Sequence, residues 1–180
     1  MHRWISRLLL LAALWVPAAF AQTFIFTGAG ALSETSPPDA MGDWGLQANG
    51  AAYSFEGYAG SWTLLANFVY NVNSNLGSGS FSFSQGADSL TGTLSSSGSV
   101  IAQGAGFDIV YTVTGGTGVF AGLTGGGNSV ARLLGNPNDP PPVSFFEAGI
   151  MNLQAIPEPQ TGLLLAAGLG FLAWRRLRRI

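Results

Sequence analysis

Residues Trp62, Leu64, Ala66, Phe68, Tyr70 and Val72 alternate without interruption with Thr63, Leu65, Asn67, Val69 and Asn71. Strict alternation sends one set of side chains to one face of an extended strand and the other set to the opposite face. A helix cannot form this stripe, because its neighbours recur every three or four residues. The segment must therefore lie in a sheet with one buried face. Thr63, Asn67 and Asn71 suit the solvent side, whereas Leu65 and Val69 do not.

Shorter versions of the pattern recur along the chain. Thr23–Thr27 places Phe24 and Phe26 on one face, and Ala52–Glu56 does the same with Tyr53 and Phe55. Phe81 and Phe83 alternate with serines in Gly79–Gln85, and Ser89–Ser95 is a Thr/Leu strand. Phe107, Ile109, Tyr111 and Val113 line another face, and Ser129–Leu134 and Val143–Leu153 complete the set. Between them lie turn-rich breaks at Asn73–Gly79 and Ser96–Gly98. The proline-bearing stretches Ser33–Asp39 and Gly135–Pro142 are expected to be loops. Eight or nine short strands with no helix among them predict an all-β body. The expected architecture is a single antiparallel β-barrel of about eight strands, with a β-sandwich as the alternative; barrel closure removes exposed edges.

One segment favours the barrel. Tyr111–Gly125 contains Gly115-Gly116-Thr117-Gly118-Val119-Phe120-Ala121-Gly122 and resembles the Gly-Gly-Thr-Gly-x-Phe-x-Gly segment of dirigent and allene-oxide-cyclase-like β-barrels. Gly115, Gly116 and Gly118 are predicted to take positive φ in a tight turn, and Phe120 to plug the barrel end. The functional residues of those families have no counterparts here, so the resemblance implies a fold and no activity.

Both ends read as processing segments. Arg3 and Arg7 precede an apolar run from Leu8 to Phe20 that closes on Ala19-Phe20-Ala21. This is the pattern of a secretory signal peptide over 1–21, with Ala19 and Ala21 marking the cleavage site. It implies the Sec export machinery and a signal peptidase as partners. At the other end, Pro157-Glu158-Pro159 precedes the uncharged stretch Thr161–Trp174 and the basic cluster Arg175, Arg176, Arg178 and Arg179. That stretch spans roughly 21 Å as a helix at about 1.5 Å per residue, short of the roughly 30 Å of a hydrocarbon core. The arginines are expected to stay cytoplasmic and snorkel, giving a transmembrane helix that anchors weakly.

This three-part tail, 155–180, resembles that of PEP-CTERM proteins. The resemblance implies sorting by an exosortase, a membrane enzyme that cleaves near the Pro-Glu-Pro motif. It further implies display at the surface or in the exopolysaccharide or biofilm matrix of a Gram-negative-type bacterium, after transient anchoring in the inner membrane. The exported β domain is then 22–154.

Composition limits what that domain does. Arg132 is its only base, against the acids Glu34, Asp39, Asp43, Glu56, Asp88, Asp108, Asp139 and Glu147. Such a body cannot neutralise phosphates, so nucleic acid is not an expected partner. The chain has no Cys and no Lys, and its single His, His2, lies in the signal segment. Ser-His-Asp and Cys-His triads, His-bound zinc and Schiff-base lysines are thereby excluded from the exported domain.

Carboxylate chemistry remains, with Asp39, Asp43, Asp108 and Glu147 available, but no spacing singles out a facing pair. Asp39 and Asp43 match no calcium-loop spacing, and Gly125-Gly126-Gly127-Asn128 reads as a hairpin turn or bulge rather than a phosphate cradle. No enzyme activity, cofactor or metal is expected. Trp44, Tyr58 and Trp62 are the candidate sugar-stacking aromatics, with core packing as their other reading. The expected function is a structural or interaction module; the alternative is a carbohydrate- or lipophilic-ligand-binding barrel, which would need a large apolar cavity rather than an interior filled by Phe81, Phe83, Phe107 and Tyr111.

Overall fold

A computed structural model of the protein describes residues 21–98, 105–135, 142–156, 168–170, 172 and 175. Ala21–Ile156 forms a compact unit of its own. Eight strands run β1 (Ala21–Ser36), β2 (Asp43–Phe55), β3 (Tyr58–Asn71), β4 (Leu76–Gln85), β5 (Asp88–Ser97), β6 (Gly106–Thr117), β7 (Leu123–Leu133) and β8 (Val143–Ala155). Each pairs antiparallel with the next, and β8 returns to pair with β1, closing the sheet into an up-and-down barrel. The barrel reading therefore holds and the sandwich does not.

The predicted alternation decides which side chains point inward. From β3, Trp62, Leu64, Ala66 and Tyr70 are buried, while Leu65 and Val69 are left exposed on the outside. An eight-stranded barrel has an interior just wide enough to be filled by side chains, and here aromatic rings fill most of it. Phe55 meets Trp62 edge-on at 5.1 Å and Phe81 meets Tyr111 at 4.7 Å, geometries that favour the ring quadrupoles. Phe81, Phe83, Phe107 and Tyr111 are all buried, so they fill the barrel as the packed-interior alternative required.

Rings this large fit because several inward positions carry glycine. A Cβ at Gly28 or at Gly50 would overlap the ring of Tyr53. Gly28→Ala is therefore expected to cost roughly 1–3 kcal/mol, as overpacking typically does. Urea denaturation checks this, and an unchanged midpoint would mean that the Tyr53 ring is free to shift.

The barrel has two different ends. At one, the strands are joined by the tight turns Glu56–Gly57 and Gly86–Ala87 and by a 3₁₀ turn, Gly118–Phe120. Gly118 takes φ +58 there, and Phe120 is fully buried against Tyr58 and Trp62, with ring centroids 4.9 and 5.3 Å away. The plug is as predicted. Gly115 and Gly116, however, lie inside β6 rather than in a turn. At the other end are the longer connections between β1 and β2, β5 and β6, and β7 and β8.

Three further expectations are corrected. Ser33–Ser36 belongs to β1, where Ser33 pairs with Gln47 and Ser36 with Gly45; only the prolines after it break the strand. β2 begins at Asp43, ahead of the predicted start, and its alternation is interrupted by a bulge between Gly50 and Tyr53, which explains why the sequence hid it. Gly125–Asn128 is the middle of β7, hydrogen-bonded on both sides, and not a turn. Glycine is needed there because the neighbouring backbones come close: a Cβ on Gly126 would lie 2.7 Å from the Tyr111 carbonyl oxygen.

The flanking helices are not established. Residues 1–20, with Ala19, and residues 157–167, with Pro157, Glu158 and Pro159, lie outside the described residues, as do Arg176, Arg178 and Arg179. The described tail residues 168–170, 172 and 175 are helical. Among the described residues, no helix is long and apolar enough to cross a membrane.

Candidate functional site

Among the described residues, one acid is buried. On β8, Phe145, Glu147, Met151 and Leu153 share the buried face, so Glu147 enters the barrel by strand parity alone and is 1% exposed. Three hydroxyls from three other strands meet it. Tyr53 of β2 donates to Oε2 at 2.5 Å, Tyr111 of β6 donates to Oε1 at 2.6 Å, and Ser129 of β7 donates to the same oxygen. A carboxylate only accepts hydrogen bonds and a hydroxyl can donate one, so the four groups satisfy one another away from water. No base lies among these partners; Arg132, one strand position from the buried Ala131, is exposed.

Electrostatics mark both phenols. Burial raises the pKa of Tyr53 and of Tyr111 well above the ordinary 10.0, and the adjacent Glu147 charge and hydrogen bond push the same way. Both therefore stay protonated donors wherever the barrel is folded near neutral pH.

On the side of Glu147 away from Phe120 lies a small apolar cavity of about 40 Å³, bordered by Ala48, Ala66, Leu94, Ala131 and Phe107 among others. Ser96 also borders it, and its buried hydroxyl has no hydrogen-bond partner among the described residues. Ligand pockets for drug-sized molecules run from about 300 Å³ upward, whereas a water needs only about 10–15 Å³. This space admits water molecules and not a sugar ring or a fatty chain.

The other described acids lie elsewhere. Asp39 accepts from the backbone N–H groups of Met41 and Asp43 at 2.8 and 2.9 Å and so stabilises the loop after β1. Asp43 and Asp108 border a groove on the outer surface together with Asn71, Ser78, Ser95 and Ser97. Among the described residues no group of three or more acids or histidines is placed to hold a metal ion.

The three aromatics named from the sequence do not converge. Trp62 is 1% exposed in the plugged end, and its indole N–H has no hydrogen-bond partner among the described residues. Tyr58 packs beside it, with ring centroids 6.2 Å apart, and donates to Gln22 at 2.9 Å. Trp44 is at the opposite end, where its indole donates to Glu34 at 3.1 Å. The Tyr53–Tyr111–Ser129–Glu147 cluster was not anticipated as a unit. Its signal was an acid on the inward parity of Phe145 and Met151, but its partners come from strands far apart in sequence.

Outside, the register aligns a row of uncharged positions, polar in all but Gly126: Thr23, Asn152, Gly126, Thr112, Thr93, Ser80, Asn67 and Gln47 are successive cross-strand neighbours. Within it Thr23 donates to Asn152 and Gln47 to Asn67, both at 2.7 Å.

Comparison with known proteins places the PEP-CTERM protein-sorting motif at residues 155–179. No curated protein and no solved structure matches the chain, and the likeness of Tyr111–Gly125 to dirigent-like barrels gains no support. The chain thus carries a PEP-CTERM sorting tail, which implies exosortase-dependent sorting of an exported protein; the barrel is not accounted for by that motif.

Proposed function

We propose that this PEP-CTERM protein delivers a non-catalytic β-barrel to the cell surface or the surrounding exopolysaccharide matrix, where the outer face of the barrel makes the contacts. The observation that carries this reading is the filled interior. Among the described residues, aromatic rings and the satisfied Glu147 cluster fill most of the interior and border a cavity of only about 40 Å³, which favours contacts on the outside over an internal lipophilic or sugar ligand. What the barrel offers to partners is its exterior, where hydroxyls and amides with few charges lie among exposed Ile25, Leu65, Val69, Val110, Phe146 and Ile150, beside a groove bordered by serines, Asn71, Asp43 and Asp108. Hydroxyls and amides of this kind can exchange hydrogen bonds with a polysaccharide without large Coulomb terms. In this reading residues 1–21 are a signal peptide, and the tail beyond the barrel, with its Arg175–Arg179 cluster, is the temporary anchor. The inner membrane of a Gram-negative-type cell is where that anchor would hold.

Intact mass of the surface or secreted form tests it, in a host with the exosortase and in one lacking it. A product beginning at Gln22 and ending near Pro157–Pro159 only when the enzyme is present is the expected result. A product ending at Ile180 in both hosts would leave a tethered inner-membrane protein instead. Retention of the processed barrel on purified exopolysaccharide, weakened by Asn67→Ala with Asn152→Ala, then tests the contact surface.

A further inference from the structure

Some apolar side chains on the outside of the barrel stand alone. Leu65 is flanked across the sheet by Asn49 and Ser82, and Val69 by Gly45 and Ser78. Around β8, by contrast, the register gathers them. Ile150 lies directly across from Ile25, Ala148 across from Val130, and Phe146 between Ala29 and Arg132. Val110 stands on β6 across from Asn128, diagonal to Val130. Ile25, Ile150, Phe146, Val130 and Val110 are between 40% and 51% exposed. Single apolar residues on a surface are ordinary, whereas a contiguous patch marks a place of contact.

The charges beside this patch indicate what covers it. The exported domain carries eight acids against one base, so two copies repel each other over most of their surfaces. That one base, Arg132, borders the patch next to Phe146. Its guanidinium lies across Gly106, where any Cβ would collide with it. Asp108 lies on the same outer face, two residues along β6 from Gly106 and directly across from Val130. One surface therefore holds an apolar centre with a base and an acid at its rim. A two-fold interface, in which identical surfaces meet, requires this self-complementarity.

We propose that a second copy of this chain covers the patch, forming a symmetric dimer through the outer faces of β7 and β8. The register supplies the geometry. Strands lie about 4.8 Å apart and residues rise about 3.4 Å along each. At those spacings a two-fold axis lying along the face through Ala148 carries Arg132 of each copy onto Asp108 of the other. The same axis sets Phe146 between Val110 and Val130 of the facing copy. The two ion pairs stand at the rim, where charges select partner and register more than they add affinity. Two convex barrel walls touch over a small area, so like charges placed at that rim are enough to open the dimer.

The chain contains no cysteine, so one introduced thiol is an unambiguous probe. Full-length chains carry either Ala148→Cys, on the axis, or Thr93→Cys, exposed on β5. After mild oxidation, covalent dimer is read on non-reducing gels. The expected result is severalfold more dimer from Ala148→Cys than from Thr93→Cys, lost when Arg132→Asp is added and equally lost with Asp108→Arg. When both charge variants are made in one cell, each with Ala148→Cys, opposite charges meet again at both rims and the dimer returns. Equal dimer from the two cysteine positions, as association through the tails alone would give, overturns the proposal. So does dimer that ignores the charge variants, or that co-expression fails to restore. Urea midpoints show that the charge variants fold. If either does not, Phe146→Ser takes its place: loss of the cross-link at a native midpoint supports the contact, and an undiminished cross-link overturns it.

Discussion

Replacing Glu147 by Leu is expected to cost about 4 kcal/mol or more, enough to leave much of the barrel unfolded. The carboxyl is the shared acceptor for Tyr53, Tyr111 and Ser129. A buried hydroxyl stripped of its partner costs about 1–3 kcal/mol, and three would be stripped at once. Typical domains have only about 5–15 kcal/mol in total. Glu147→Gln should be milder, about 2 kcal/mol, since a hydroxyl can also turn and accept from an amide N–H. Urea denaturation of both variants, followed by tryptophan fluorescence, measures the difference. If the Leu variant melts at the native midpoint, the cluster contributes nothing net, as is known for some buried ionic groups replaced by apolar ones.

The barrel should also come apart in alkali, steeply and from pH 10 upward. Burial, then the Glu147 charge and hydrogen bond, hold the Tyr53 and Tyr111 phenols protonated in the folded state far above the ordinary 10.0. In the unfolded chain both lose their protons near pH 10. Below that value each state binds the same protons and the term is constant. Above it the unfolded state binds fewer, so stability falls with rising pH. Each phenol contributes about 1.4 kcal/mol per pH unit, so the pair removes about 5 kcal/mol between pH 10 and 12. Urea midpoints taken from pH 8 to 12 give the slope directly. Tyr111→Phe should halve the slope while lowering stability at neutral pH by roughly 1.5–3 kcal/mol, the worth of a hydrogen bond to a charged group. A stability that stays flat to pH 12 would mean the phenols reach solvent.

Strand existence was legible wherever an aromatic or aliphatic stripe alternated with Ser, Thr or Asn, as in Trp62–Val72 and Gly79–Gln85. It failed where backbone contacts, not side chains, define the strand. Gly125–Asn128 has no hydrophobic pattern to read, yet lies between β6 and β8 because only glycine permits so close an approach. The start of β2 was hidden in the same way, by Gly45 and by the bulge after Gly50. Trp62 showed its inward parity plainly, and the structure buries it at 1% exposure.

The sequence by itself determined the all-β class, the inward stripes, the Phe120 plug and the sorting tail, because each rests on local spacing or on a short contiguous motif. It did not single out Glu147, whose inward position on β8 the structure revealed. Only the tertiary structure decided that the sheet closes through β1 and β8, and that closure is what brings Tyr53, Tyr111 and Ser129 onto one carboxyl. It likewise decided that the interior is filled and that the chain enters and leaves at one end. These outcomes depend on partners 18 to 94 residues apart in the chain, whose meeting is fixed by strand register around the barrel and leaves no periodic trace in the sequence.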